Sequence, residues 1–187
     1  MDQFGYLSVL LSIIVGFSIT QILFGFRGVV LSRDGVRLYW PTLVWGVMLM
    51  LINVQSWWAM FGLHELQHWT FPQFSIVLTQ TIIQYMLAAI VFPDFSGSEA
   101  TDLRKHYWRH TRWFFGLLVL VLAASLTKDL VINGRFPGGF NLLFHIGFMT
   151  TSAVAMFTAS ETYHKFLSLL GIATFGVYTV ALFTELR

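Results

Sequence analysis

Six histidines, nine carboxylates and no cysteine bound the chemistry open to this chain of 187 residues. His64 and His68, in GLHELQHW, stand four apart with Glu65 between them, and His106 and His110 repeat the spacing in RKHYWRH. Imidazoles at i and i+4 share one face of a helix and can hold a metal. A zinc site wants three or four protein ligands, and neither pair brings a full set even with Glu65 or Asp102 added. Histidine also suits a membrane interface, beside Trp69 or Trp108. His64, His68, His106 and His110 are therefore read first as interfacial residues and only second as metal ligands. Glu161 and His164, in ASETYHKF, have the E-x-x-H spacing of di-iron bundles, but those need two copies and further glutamates. One copy occurs here, and Glu161 with Lys165 is an ordinary i, i+4 ion pair.

The missing cysteines exclude disulfides, thiolate catalysis and Cys-bound clusters. HELQH, residues 64–68, has the letters of H-E-x-x-H and is the His64/His68 pair already weighed; no G-x-S-x-G, P-loop, G-x-G-x-x-G or T-V-G-Y-G string occurs. No catalytic residue and no cofactor is expected.

The remaining polar residues lie in apolar surroundings. His145, in FNLLFHIGFMTT, sits within a hydrophobic stretch, where an ionisable group points to function. It suits a proton carrier, a pore lining or a neutral imidazole bonded to a neighbouring helix. A haem held by two histidines needs a second deeply buried one, and His164 is expected at the end of its helix. Lys128 and Asp129 stand near the end of another apolar stretch. Lys128 is expected to snorkel outward, and Asp129 to pair with Arg135 or His145. Asp129, Arg135, Asn141 and His145 thus form an expected polar cluster, serving as a clamp or as an ion path. Gln80 and Gln84 share a helix face, and Asn53, Gln55 and Gln21 are further polar groups in lipid-like surroundings. Amides there need partners, either across helices or along a hydrated path. Ser8, Ser12, Gly16 and Thr20, at successive fourth positions, form a small-residue stripe suited to close helix packing.

Composition explains those surroundings. The chain is 56% hydrophobic and 11% charged, with mean hydropathy +0.70, against about 25% charged residues in soluble domains. Nineteen Phe, seven Trp and six Tyr fit a bilayer and its interfaces. A net charge of +2 is no nucleic-acid signal. The N-terminus lacks a basic n-region and a cleavage site and reads as a retained first span, not a signal peptide.

A membrane helix needs roughly 20 apolar residues, and six stretches qualify: 5–31, 38–63, 71–92, 111–132, 138–159 and 163–183. The expected fold is a single all-α, six-span bundle with short loops. Residues 99–110 are expected to form a short cytoplasmic interfacial helix running into span four, capped by Ser98 with Glu99 and Asp102 in its first turn. Its Arg104, Lys105, Arg109 and Arg112 face anionic headgroups or a partner. If alternate loops share a side, eight of the eleven Lys and Arg fall on one of them. The positive-inside rule then puts both termini outside, in a bacterial inner membrane if the host is bacterial. The Phe-Pro strings HWTFPQF and NGRFPGGF are too short to establish a repeat, since proline at a helix start has its own reason.

The leading functional expectation is a small homo-oligomeric channel or transporter for an ion or proton, in contact with membrane lipid. His145, Asp129, Asn141, Gln80, Gln84 and Asn53 are its candidate residues. One alternative is a non-catalytic subunit or sensor that binds lipid or another membrane protein. A second is a histidine-based membrane metalloprotein.

Overall fold

A computed structural model describes residues 3–31, 35–66, 68–95 and 101–182. Six helices account for nearly all of it: α1 (Gln3–Leu31), α2 (Trp40–Met60), α3 (Phe71–Val91), α4 (Leu103–Asn133), α5 (Gly139–Phe157) and α6 (Glu161–Leu182). All six stretches expected to span occur as helices, each long and apolar enough to cross a membrane.

Local chemistry sets their ends. Pro41 sits in the first turn of α2, where no N–H is needed. A 3-10 turn, Phe61–Glu65, follows that helix. Thr70 opens α3 through a capping box in which its backbone N–H donates to Gln73 Oε1 at 2.9 Å. Asp102 caps α4 by accepting from the Lys105 N–H at 2.9 Å. Gly134 ends α4 in the left-handed region, φ 68°, which a side chain would disfavour.

One correction concerns the segment before span four. Ser98 and Glu99 lie outside the described residues, and Asp102, expected in the first turn, is itself the cap. From Leu103 onward that stretch and span four are one helix: α4 runs unbroken through 31 residues, about 46 Å at 1.5 Å per residue. That exceeds the roughly 30 Å hydrocarbon layer, so its first turns project into the headgroup region.

Consecutive helices reverse direction, and the packing closes a ring in the order α1, α3, α4, α5, α6, α2. One end of the bundle, here the basic end, holds the α1–α2 and α3–α4 connections. These are joined by a parallel ladder of two residues each, β1 (Val36–Arg37) and β2 (Thr101–Asp102). Arg37 and Asp102 approach to 3.8 Å there.

The half of the bundle toward that end is filled with aromatic rings. Trp45, fully buried, meets Phe114 and Phe115 at centroid distances of 5.2 and 5.4 Å. Phe92 lies where a Cβ on Gly25 or Gly46 would be, so these glycines let α1 and α2 close on the ring. Large apolar side chains cover the outside, among them Phe17, Leu120, Leu143 and Val177. A surface of that kind suits lipid as its solvent.

Candidate functional site

Helical periodicity collects polar groups on the inner faces of α3 and α4. Val77, Gln80, Thr81 and Gln84 share one face of α3, and Ser125, Lys128, Asp129 and Ile132 share one face of α4. With Gln55 and Ser56 of α2, Asn141 of α5 and Tyr178 of α6, these faces enclose a cavity of about 490 Å³. Small-molecule sites measure roughly 300–1,000 Å³. Exposed Glu65 and Asn133 stand at its mouth, at the end of the bundle opposite the basic end. Gln84, roughly 20 Å along α3 from Phe71 at 1.5 Å per residue, lies at its inner end.

The inner wall is held by hydrogen bonds between helices. Gln84 Nε2 donates to Ser56 Oγ at 2.6 Å, and Ser18 Oγ donates to the Gln84 carbonyl at 3.3 Å. Tyr178 donates its hydroxyl to Asn141 Oδ1 at 3.3 Å. His145 is buried one layer behind the wall. Its Nδ1–H donates to the Asn141 carbonyl at 2.9 Å, which leaves Nε2 to accept from Ser125 Oγ at 3.1 Å. Both ring nitrogens are thus engaged, in the neutral form.

The candidate residues therefore divide. Gln80, Gln84, Asp129 and Asn141 line one cavity, and His145 supports it. Asn53 does not line it. It is buried, donates to the Leu49 carbonyl at 2.8 Å, and its Oδ1 has no partner among the described residues. Arg135 is exposed beyond α4 and stands apart. Asp129 pairs with neither Arg135 nor His145; among the described residues it has no hydrogen bond or ion pair. Lys128 does not simply snorkel away. It lines the cavity beside Asp129.

The histidine pairs lie at opposite ends of the bundle. His64 Nδ1 donates to the Phe61 carbonyl at 2.6 Å on the 3-10 turn, and His68 lies just beyond it, exposed. His106 Nε2 donates to the Ile90 carbonyl at 2.9 Å, and its ring stands 4.3 Å from that of His110. His110 Nδ1 in turn donates to the His106 carbonyl. Among the described residues no three His, Asp or Glu side chains converge as metal ligands.

His164 does lie at the end of its helix, in the first turn of α6, but the expectation that it is not deeply buried there is overturned. The imidazole is fully buried. Its Nε2–H donates to the Thr158 carbonyl at 2.9 Å, so Nδ1 accepts from the Tyr107 hydroxyl at 2.8 Å. The rings of Trp108 and Phe115 close around it at 4.8 and 5.3 Å. The α5–α6 connection folds back over this imidazole, and no free nitrogen remains for a metal. Glu161, the first residue of α6, bonds Lys165 at 2.9 Å and Arg104 at 2.7 Å. Tyr39 lies beside this layer, and burial, reinforced by the Glu161 carboxylate against Arg104, holds its phenol above the ordinary value.

Arg104 is consequently an ion-pair partner, whereas Lys105, Arg109 and Arg112 project outward along one face of α4. Trp113, 71% exposed, follows them toward the apolar midsection. Cations followed by an interfacial aromatic are the pattern of a helix leaving the headgroup layer.

The fold and this surface define an all-α, six-helix, multi-pass membrane protein. No family model matches the chain, and no curated protein or solved structure does.

Proposed function

We propose that this chain is a carrier-type membrane protein that admits a small polar solute or ion, the proton included, into the cavity between α2, α3, α4, α5 and α6. The convergence of Gln80, Gln84, Asp129 and Asn141 on one space inside an apolar bundle carries this reading. Polar side chains of this number are costly in lipid unless they serve packing or a hydrated path, and several of these face open volume. By the bias of the basic residues, the mouth faces the outside and the basic end the cytoplasm.

An axis between subunits is not needed to shelter the amides. Gln84 and Asn53 are buried within one chain, which removes the reason for expecting a pore between copies. Lipid is the natural partner of the outer surface, with Lys105, Arg109 and Arg112 at anionic headgroups.

Reconstitution in liposomes tests the proposal. Flux of protons or of labelled polar solutes should exceed background and fall at least tenfold in D129N and Q84L that remain monodisperse. Flux at background for every solute, with and without a pH gradient, contradicts transport.

A second reading, a sensor that binds a solute without passing it, has one observation in its favour. On the path from the cavity toward the basic end, Trp45, Tyr107, Phe115 and His164 are buried between the helices. Saturable binding without flux decides for the sensor.

A further inference from the structure

The charges in the cavity are of both signs and form no direct ion pair, although Asp129 acts on Lys128 through space. Lys128 and Asp129 are adjacent in α4, so their side chains leave the helix about 100° apart. Both nevertheless line the same space. Among the described residues neither has an ion-pair partner or a hydrogen bond. Both are half-buried, in a bundle with an apolar exterior. Most other polar groups nearby are already engaged: Gln84 with Ser56, Ser125 with His145, Tyr178 with Asn141. The Gln80 side chain faces the cavity beside the two charges with no hydrogen bond among the described residues.

We infer that the cavity selects a small zwitterion, with Lys128 taking its carboxylate, Asp129 its ammonium group and Gln80 a remaining polar atom. This deepens the solute-cavity reading and rests on it. The argument is one of complementarity. A lone cation that satisfies Asp129 meets Lys128. A lone anion that satisfies Lys128 meets Asp129. A neutral polar molecule leaves both charges without a bonded counter-charge in a poorly solvating site, which is costly. A molecule carrying both signs on a short skeleton answers both, and the amide adds direction without charge. Glu65 at the mouth adds a negative group on the way in, where it meets the ammonium end first.

The test compares one four-carbon skeleton in each charge state. Purified protein in mild detergent is titrated with α-aminobutyrate, γ-aminobutyrate, butyrate, butylammonium and butanamide, and binding is read as the shift of the unfolding midpoint. At least one aminobutyrate should bind saturably and at least tenfold more tightly than the other three. K128Q and D129N should each weaken that binding at least tenfold, while K128R and D129E retain most of it. The conservative pair guards against variants that simply fail to fold.

Equal protection by butanamide, or by one single-sign ion, in a manner that depends on Gln80 and Asp129, overturns the zwitterion but leaves the solute cavity standing. Zwitterion binding untouched by K128Q and D129N overturns the assignment of these residues. No binding by any probe, together with no flux, overturns both this inference and the proposed function.

Discussion

Gln84 of α3 donates its side-chain amide to the Ser56 hydroxyl of α2 at 2.6 Å, at the inner end of the polar cavity. The bond joins two helices that the sequence separates by 28 residues. Beyond it, toward the basic end, rings fill the bundle. The molecule is thus divided along its axis into a half that holds the polar cavity and a half packed with aromatic rings.

The packed half should be the more sensitive to truncation. Replacing His164 by Ala removes a fully buried ring and leaves the Tyr107 hydroxyl without its acceptor. A loss of about 3 kcal/mol is expected from the combined cavity and the orphaned donor. Tyr107→Phe, which removes only the hydrogen bond, should cost about 1 kcal/mol. Reversible unfolding in mixed detergent micelles measures both, and equal losses would refute the partition.

Gly25 should not tolerate a side chain. A Cβ there would fall on the Phe92 ring. Gly25→Ala is expected to cost about 1–3 kcal/mol through overpacking between α1 and α3. Gly25→Ala combined with Phe92→Leu should recover part of that loss, a coupling that a double-mutant cycle detects.

His145 and Ser125 should behave as one unit. Each single Ala substitution strands the other side chain, since Ser125 Oγ donates to His145 Nε2. A double-mutant cycle on unfolding should give a coupling of about 1 kcal/mol, the upper range for such bonds in membranes. Strict additivity would mean that the two residues do not act together.

The basic residues of α4 should separate into two roles. Glutamine at Lys105, Arg109 and Arg112 together should reduce the anionic lipid retained by the protein in native mass spectrometry and leave its unfolding unchanged. Arg104→Gln should leave lipid retention nearly intact, because its guanidinium is engaged by Glu161 at 2.7 Å. Equal lipid loss from Arg104→Gln alone would contradict the division.

Sequence made the spans legible because hydropathy over twenty residues is a strong pattern, and it flagged Gln80, Gln84, Asp129 and Asn141 because polar groups stand out in apolar surroundings. Asp129 and Asn141 were expected together, but their convergence with Gln80 and Gln84 was not legible. It depends on the rotation of α3 and α4 about their own axes and on which helices neighbour them, and neither leaves a local pattern. Lys128 was read by the default for a long side chain near a helix end, and its place in the cavity wall left no local pattern. His164 was misjudged because position along a helix does not report what the next connection covers. The Val36–Arg37 and Thr101–Asp102 ladder has two residues per strand, too few for any periodicity. The start of α4 was displaced because its cap is the Asp102 side chain, four residues beyond Ser98.

Cysteine accessibility tests the central claim, a water-filled cavity reaching into the membrane, most directly, because the native chain has no cysteine. Single cysteines at Gln80 and Asn141, which line the cavity, are compared with cysteines at Ile82 and Leu143, which are exposed on the outer surface at 45% and 70%. A membrane-impermeant, charged thiol reagent is added to reconstituted vesicles from the side of the cavity mouth. Rapid modification at positions 80 and 141, with none at 82 and 143, is the predicted result. Modification at 80 and 141 as slow as at the lipid-facing positions would contradict a hydrated cavity, and with it the reading of this protein as one that takes in a solute.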